Sequence, residues 1–360
     1  MKQSAGRRRS IGIVMPFTTK TLLLSALVVF GLAAMLLHSS VPQNSGKPTV
    51  VVYTSVDDEL ALPLFKRFTE ETGITVIPRT DSEASKTTGL AGRLLQLKNN
   101  PDGDVFWNSE LSLTQMLAKN GVLEPYVSPQ AQAIPDAFKD ANNFWTGFGC
   151  RARVLIYNTG RVSRDQVPRS LDQLADPRWR GRFVIAKPLF GTTRSHLVSF
   201  ALALGEEQAF QIFRRWRENG LVLAESNSDV RNLVEKGIKD IGLTDSDDVF
   251  SAMDRNKPVD FIIPDQCPEW MGAYLIPNTV AVLKNGPHPQ QAHTFVNYLL
   301  RPETEAWLSA QSSHQIPVRP GISCDSRLRN LKQAPVDIKQ LGESVLPLGE
   351  KIYRILCGEE

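Results

Sequence analysis

The sequence predicts an α/β protein built from two lobes, and three observations carry that reading. The chain has 360 residues, 42% apolar and 22% charged, which is globular composition with core material for two lobes of roughly 130–150 residues each. From residue 49 onward, short β-rich apolar runs alternate with segments of helical spacing, the pattern of a parallel sheet. The same alternation restarts after Cys150.

In the first stretch, Thr49–Thr54 reads as a buried strand ending in Ser55-Val56-Asp57-Asp58-Glu59. Leu60, Leu64, Phe65 and Phe68 then fall at helical spacing, and Gly73 supplies a stop. Ile74–Ile77 is a second strand, Gly89–Lys98 a second helix, and Asp104–Trp107 a third strand running into Asn108-Ser109-Glu110. After Cys150 the predicted strands are Arg153–Tyr157, Arg182–Ala186, Leu221–Ala224 and Ile241–Thr244, with helices from Ser195 and over Val230–Lys236. Residues 261–263 and 273–276 read as crossing strands, Pro289–Leu300 as an amphipathic helix, and the tail from Ser323 as polar and mostly helical. The predicted organisation is residues 1–40 as signal peptide or membrane anchor, 48–149 with 275–322 as lobe 1, 150–274 as lobe 2, and 323–360 as a helical tail. The chain crosses between lobes near 146–152 and 262–274.

The N-terminus carries the compartment. Arg7-Arg8-Arg9 and Lys20 precede Leu22–Leu37, an apolar run broken only by Ser25 and Gly31. A basic flank before such a run reads as an export signal or a short anchor. Its sixteen residues would rise about 24 Å as helix, short of a hydrocarbon core of roughly 30 Å. No Cys follows closely, which excludes a lipoprotein anchor. The formal charge of +3 rests on five basic residues and no acid in 1–40, so the rest of the chain carries −2. A slightly acidic body without a basic stripe argues against a nucleic-acid partner.

Cys150, Cys267, Cys324 and Cys357 suit an oxidising compartment, and two bridges among them have three connectivities. Cys324 with Cys357 would tie down the tail, and Cys150 with Cys267, both in predicted crossovers, would staple the hinge; reduced buried thiols are the alternative. Their spacing matches no zinc motif.

Ligands of open parallel sheets bind beyond the carboxyl ends of the strands. Three such ends are polar and mainly acidic: Ser55–Glu59, Asn108–Glu110 and Thr244–Asp248. Asp57, Glu110 and Asp247 could together hold a hard cation through oxygen, while helix capping is the competing role for each. Arg151 and Arg153, Thr192 and Thr193 before a helix, and Asn227-Ser228 before another offer donors for an anion. The candidate ligand-binding set is Ser55, Asp57, Asn108, Glu110, Arg151, Arg153, Thr192, Thr193, Asn227, Ser228, Thr244, Asp245 and Asp247. Trp107, Trp145 and Trp270 read as core or cleft lining. The five histidines are scattered and there is neither a nucleophile elbow nor a glycine-rich nucleotide fingerprint, so enzyme chemistry has no constellation to stand on. His196 reads as a helix-surface residue.

Val51–Glu59, Asp104–Glu110, Trp145–Phe148 running into Arg151–Thr159, Ser170–Gly181 and Ile276–Ala281 together resemble the ferric-iron-binding periplasmic proteins of ABC importers, over about residues 48–320. The resemblance implies a type II-like periplasmic-binding-protein fold, two α/β lobes joined by a two-strand hinge. It also implies a monomeric, non-enzymatic binding protein in the periplasm, without a cofactor, that delivers a small ligand to a permease and its ATPase in the inner membrane. The ligand would be ferric iron or another metal, as such or with an anion. This chain departs from that family where adjacent tyrosines are expected, offering Ser246 and Asp247, and where a histidine is common, offering Asp57. Arg151 or Arg153 resembles the family's anion-binding arginine. The rival readings are a binder of a small organic or phosphorylated anion, built on Arg151, Arg153 and Thr192–Ser195, and a membrane-tethered sensor.

Overall fold

The computed structural model describes residues 47–80 and 86–359. The apolar segment 22–37, and with it the choice between signal and anchor, lies outside the described residues. No helix among the described residues is long and apolar enough to cross a membrane.

The first stretch alternates β1 (Thr49–Thr54), α1 (Asp58–Thr72), β2 (Thr75–Arg79), α2 (Lys86–Gln96), β3 (Val105–Asn108), α3 (Ser112–Lys119) and the short β4 (Leu123–Glu124). Next come β5 (Thr146–Asn158), β6 (Phe183–Ala186), α4 (Gly191–Leu204), α5 (Glu206–Glu218), β7 (Val222–Ala224), α6 (Asn227–Glu235), β8 (Ile241–Asp245), α7 (Ser246–Asp254) and β9 (Val259–Ile262). The chain returns through β10 (Leu275–Leu283), α8 (Pro289–Leu299) and α9 (Pro302–Ala310), and its last helix is α10 (Ile338–Cys357). As the sequence predicts, α1 stops at Gly73, whose φ of 74° and N–H bond to the Thr69 carbonyl at 2.9 Å form a left-handed cap.

The strands lie in the order β2-β1-β3-β10-β5-β8-β6-β7, with β4 added to β10 and β9 to β5. β1 pairs parallel with β2 and β3, and β6 parallel with β7 and β8. The two long strands run antiparallel to their neighbours and join these groups. Where the sequence suggests a crossover followed by a separate strand, the structure has one buried strand of 13 residues, about 43 Å at a normal rise. Its first part pairs with β10 and its second with β8 and β9. The β5–β10 register slips between Pro277 and Asn278, a bulge, and there the Asn278 amide donates to the Gly149 carbonyl and to Gln315.

Each half of the sheet has its own aromatic core. Phe65 and Phe68 meet Trp107 and Phe295 with ring centroids 5.0–5.9 Å apart; in the other half Phe183 and Phe213 pack on Trp216. Trp107 and Trp145 are buried here rather than facing a cleft. The tail is less polar than expected. α10 buries Leu341, Val345, Leu348, Ile352, Ile355 and Leu356 against α3, α4 and α5, and this cover makes α4 buried on most sides. His196 on α4 is therefore not a surface residue: it is 5% exposed and stacks on Tyr274.

All four cysteines are free thiols. Cys150 sits inside β5, exchanging backbone bonds with Ile316, while Cys267 lies in a loop whose carbonyls are held by Lys332. Neither expected bridge, Cys150–Cys267 or Cys324–Cys357, is present.

Candidate ligand-binding site

A cavity of about 540 Å³ opens at the carboxyl ends of β1, β6, β7 and β8. The helices that follow those strands, α1, α4, α6 and α7, all present their first residues to it. β5 supplies Arg151, β10 supplies Asn278, and the loop Gln311–Gln315 closes one side. The connections explain the convergence: β8 passes into α7 with no intervening residue, and β7 reaches α6 in two.

Beneath the cavity lies a buried ion pair dictated by strand register. Arg153 on β5 stands opposite Asp245 on β8, and its Nη1 donates to Asp245 Oδ1 at 2.6 Å. The fully buried guanidinium also donates to the Thr192 hydroxyl at 3.2 Å, the Thr193 hydroxyl at 3.1 Å, Asn227 Oδ1 at 3.2 Å and the Leu243 carbonyl at 3.2 Å. Such saturation is what makes a buried charge tolerable. Burial alone would raise the Asp245 pKa, but Arg153 and Arg151 outweigh it and hold the carboxyl below the ordinary range. Asp245 stays anionic, and Arg153 is its counter-ion rather than a cavity-facing anion ligand.

Asp247 and Asp248 occupy the first turn of α7, where acids suit the helix dipole. Carboxylate oxygens of Asp245, Asp247 and Asp248 lie within 4.8 Å of one another. Burial pushes Asp247 well above the usual range; Arg151 opposes this, and the charges of Asp245, Asp248 and Asp57 add to it. Asp248 is pushed up to about 6 by burial and by Asp245, against the Thr244 hydroxyl, which donates to it at 2.7 Å, and Arg231 at 3.5 Å. Three carboxyls so close cannot all ionise without a positive partner.

The structure brings most, not all, of the sequence-derived set together. Ser55, Asp57, Arg151, Thr192, Asn227, Ser228, Asp245 and Asp247 reach the cavity. Arg153, Thr193 and Thr244 support it from below through the bonds just described. Asn108 turns inward, donating to the Glu110 carbonyl at 2.6 Å. Glu110 is not at the cavity. It is 1% exposed and caps α3, accepting from the amides of Ser112 at 2.7 Å and Leu113 at 2.9 Å and from the hydroxyls of Ser112 and Ser195. The trio Asp57, Glu110 and Asp247 is therefore not assembled as one cluster; the acids clustered with Asp247 are Asp245 and Asp248. Asp248, Arg231, Asn278 and the Gln311–Gln315 loop were missed. Only Asp248 left a signal, as the second acid of a strand-ending Asp pair.

Residues 63–334 match the family of bacterial extracellular solute-binding proteins, and the chain belongs to it. Among curated relatives, iron uptake protein A1 of Synechocystis sp. is 25% identical over 297 residues, covering 79% of this chain and 80% of that protein. The Fe(3+)-binding periplasmic protein of Serratia marcescens is 26% identical over 318 residues, covering 86% and 91%. The fold is the two-lobed one of periplasmic binding proteins, with two strands joining the lobes: iron-bound HitA from Pseudomonas aeruginosa superposes with a TM-score of 0.75 at 24% identity over 85% of this chain and 99% of that one. AfuA from Actinobacillus pleuropneumoniae, solved with fructose-6-phosphate, gives 0.74 at 20% identity over 87% and 99%.

Proposed function

We propose that this chain is the extracytoplasmic solute-binding component of an ABC importer and that its cavity takes a metal cation, as such or with an accompanying anion. The observation that carries this is the triad Asp245, Asp247 and Asp248, with Asp247 and Asp248 held toward their protonated forms by burial and crowding. A hard cation competes with Arg151 and Arg231 for Asp247 and Asp248 and is bound as the protons leave. The names of the relatives, iron uptake and ferric-binding proteins, support a metal cargo. The absence of a tyrosine pair makes this an all-carboxylate variant, in which Asp247 and Asp248 are the principal ligands and Asp57 stands within their electrostatic reach.

The cavity is larger than one ion needs, and the first turns of α4 and α6, with Arg231, offer donors beside the triad. These favour an anion arriving with the metal. The same features would serve a phosphorylated solute alone, which is the second reading. In either case the protein captures, closes and delivers to a permease and its ATPase, without bond chemistry, after export by its N-terminal segment.

Calorimetric titration with ferric iron, zinc, magnesium and a sugar phosphate tests this. Metal binding should be lost, by about a hundredfold or more in affinity, in Asp247→Asn and Asp248→Asn. It should persist in Glu110→Gln, which keeps an acceptor oxygen at the α3 cap. Sugar phosphate binding with no metal response would overturn the cation reading.

A further inference from the structure

We infer that Arg151 is a tethered competitor for the cargo cation and thereby sets the charge the cargo must carry; this rests on the cation reading above. Arg151 and Arg153 are two residues apart on β5, so both project from one face, yet their surroundings differ. Arg153 is consumed by the buried network under the cavity, including the shortest of the contacts to Asp245. Arg151 lines the cavity itself. Its Nε lies 3.2 Å from Asp247 Oδ2 and 3.5 Å from Asp245 Oδ2, and its Nη2 donates to the Ser109 carbonyl at 2.8 Å.

Asp245 already has Arg153, Thr192 and Asn227 as partners. The distinctive partner of Arg151 is therefore Asp247, one of the two principal ligands of the cation reading. A metal ligated by an Asp247 oxygen at roughly 2.0–2.6 Å would face the guanidinium across that same carboxylate. Two positive groups cannot share it without strong repulsion in so shielded a place. The cargo must draw Asp247 away from Arg151, which keeps its tether to Ser109. A weakly charged monovalent ion gains too little to do so, whereas a divalent or trivalent ion gains enough. Arg151 thus acts through Asp247 as a specificity-determining, positioning residue rather than as an anion ligand.

The test compares the purified protein with Arg151→Ala and Arg151→Lys, titrated with zinc alone and with sodium alone. Arg151→Ala should bind zinc about tenfold more tightly, as expected when a competing charge is removed, and should begin to respond to sodium. Arg151→Lys, which retains a cation on the tether, should stay near the unsubstituted protein. Millimolar guanidinium should weaken zinc binding to Arg151→Ala and leave the unsubstituted protein unchanged, an effect that loss of packing would not produce. Weaker or equal zinc binding in Arg151→Ala with an unshifted unfolding temperature, or guanidinium acting alike on both proteins, would overturn the inference while leaving the cation reading intact. Zinc, ferric iron and magnesium all failing to bind the unsubstituted protein would overturn both.

Discussion

Asp245 and Asp247 lie two residues apart and meet opposite fates. Asp245 faces two guanidiniums and stays ionised, whereas Asp247 and Asp248 crowd against it and one another and hold protons more readily. The Asp248 shift has a consequence for stability. Its folded pKa is raised, so between the ordinary carboxylate value and about 6 the native state binds more protons than the unfolded chain. Stability from this group is therefore greatest at acid pH and falls as pH rises through about 6, by roughly 2–3 kcal/mol. Asp248→Asn should flatten that fall, measured as unfolding free energy from pH 4 to pH 7; an unchanged slope would contradict the assignment. On the proposed function cargo affinity should have the opposite sign, rising with pH as the ligands lose protons. The acidic strand end was legible in the sequence because three acids follow an apolar run. The fate of Glu110 was not: capping and ligation use the same carboxylate, and only the position of the Ser112 and Leu113 amides decides between them.

At the scale of elements, β5 and α10 hold the architecture together. The sequence shows the apolar alternation of β5 but not its continuity, because Gly147 and Gly149 look like breaks and the pairing that carries the strand through the bulge comes from β10, more than a hundred residues away. The sequence does not announce helices α3, α5, α7 and α9; α7 in particular starts directly on the strand-ending acids. The tail from Ser323 reads as polar because its first stretch is polar, whereas the apolar residues of α10 gather on one face against α3, α4 and α5. Ile352 on that face is fully buried, so Ile352→Ala should cost about 2–5 kcal/mol. Urea denaturation would show it as a lowered midpoint, and an unchanged midpoint would mean that the helix is not part of the folded core.

For the molecule as a whole, two groups of parallel strands meet through β5 and β10, and the helix starts of both groups surround one acidic cavity. Alternation in the sequence predicts that arrangement, since ligands gather at strand carboxyl ends whatever the cargo. The charge pattern of the cavity comes from side-chain contacts that only the fold creates, above all the meeting of Arg151 with Asp247 and of Asp245 with Arg153. On the proposed function a cation enters by replacing protons on Asp247 and Asp248. Calorimetric titration with zinc at pH 6, in buffers of different ionisation enthalpy, counts the protons released per ion bound. About one proton or more should be released, and a smaller number in Asp247→Asn if any binding remains. Zinc binding with no proton release, or none at all beside tight binding of a phosphorylated anion that survives Asp247→Asn, would contradict it.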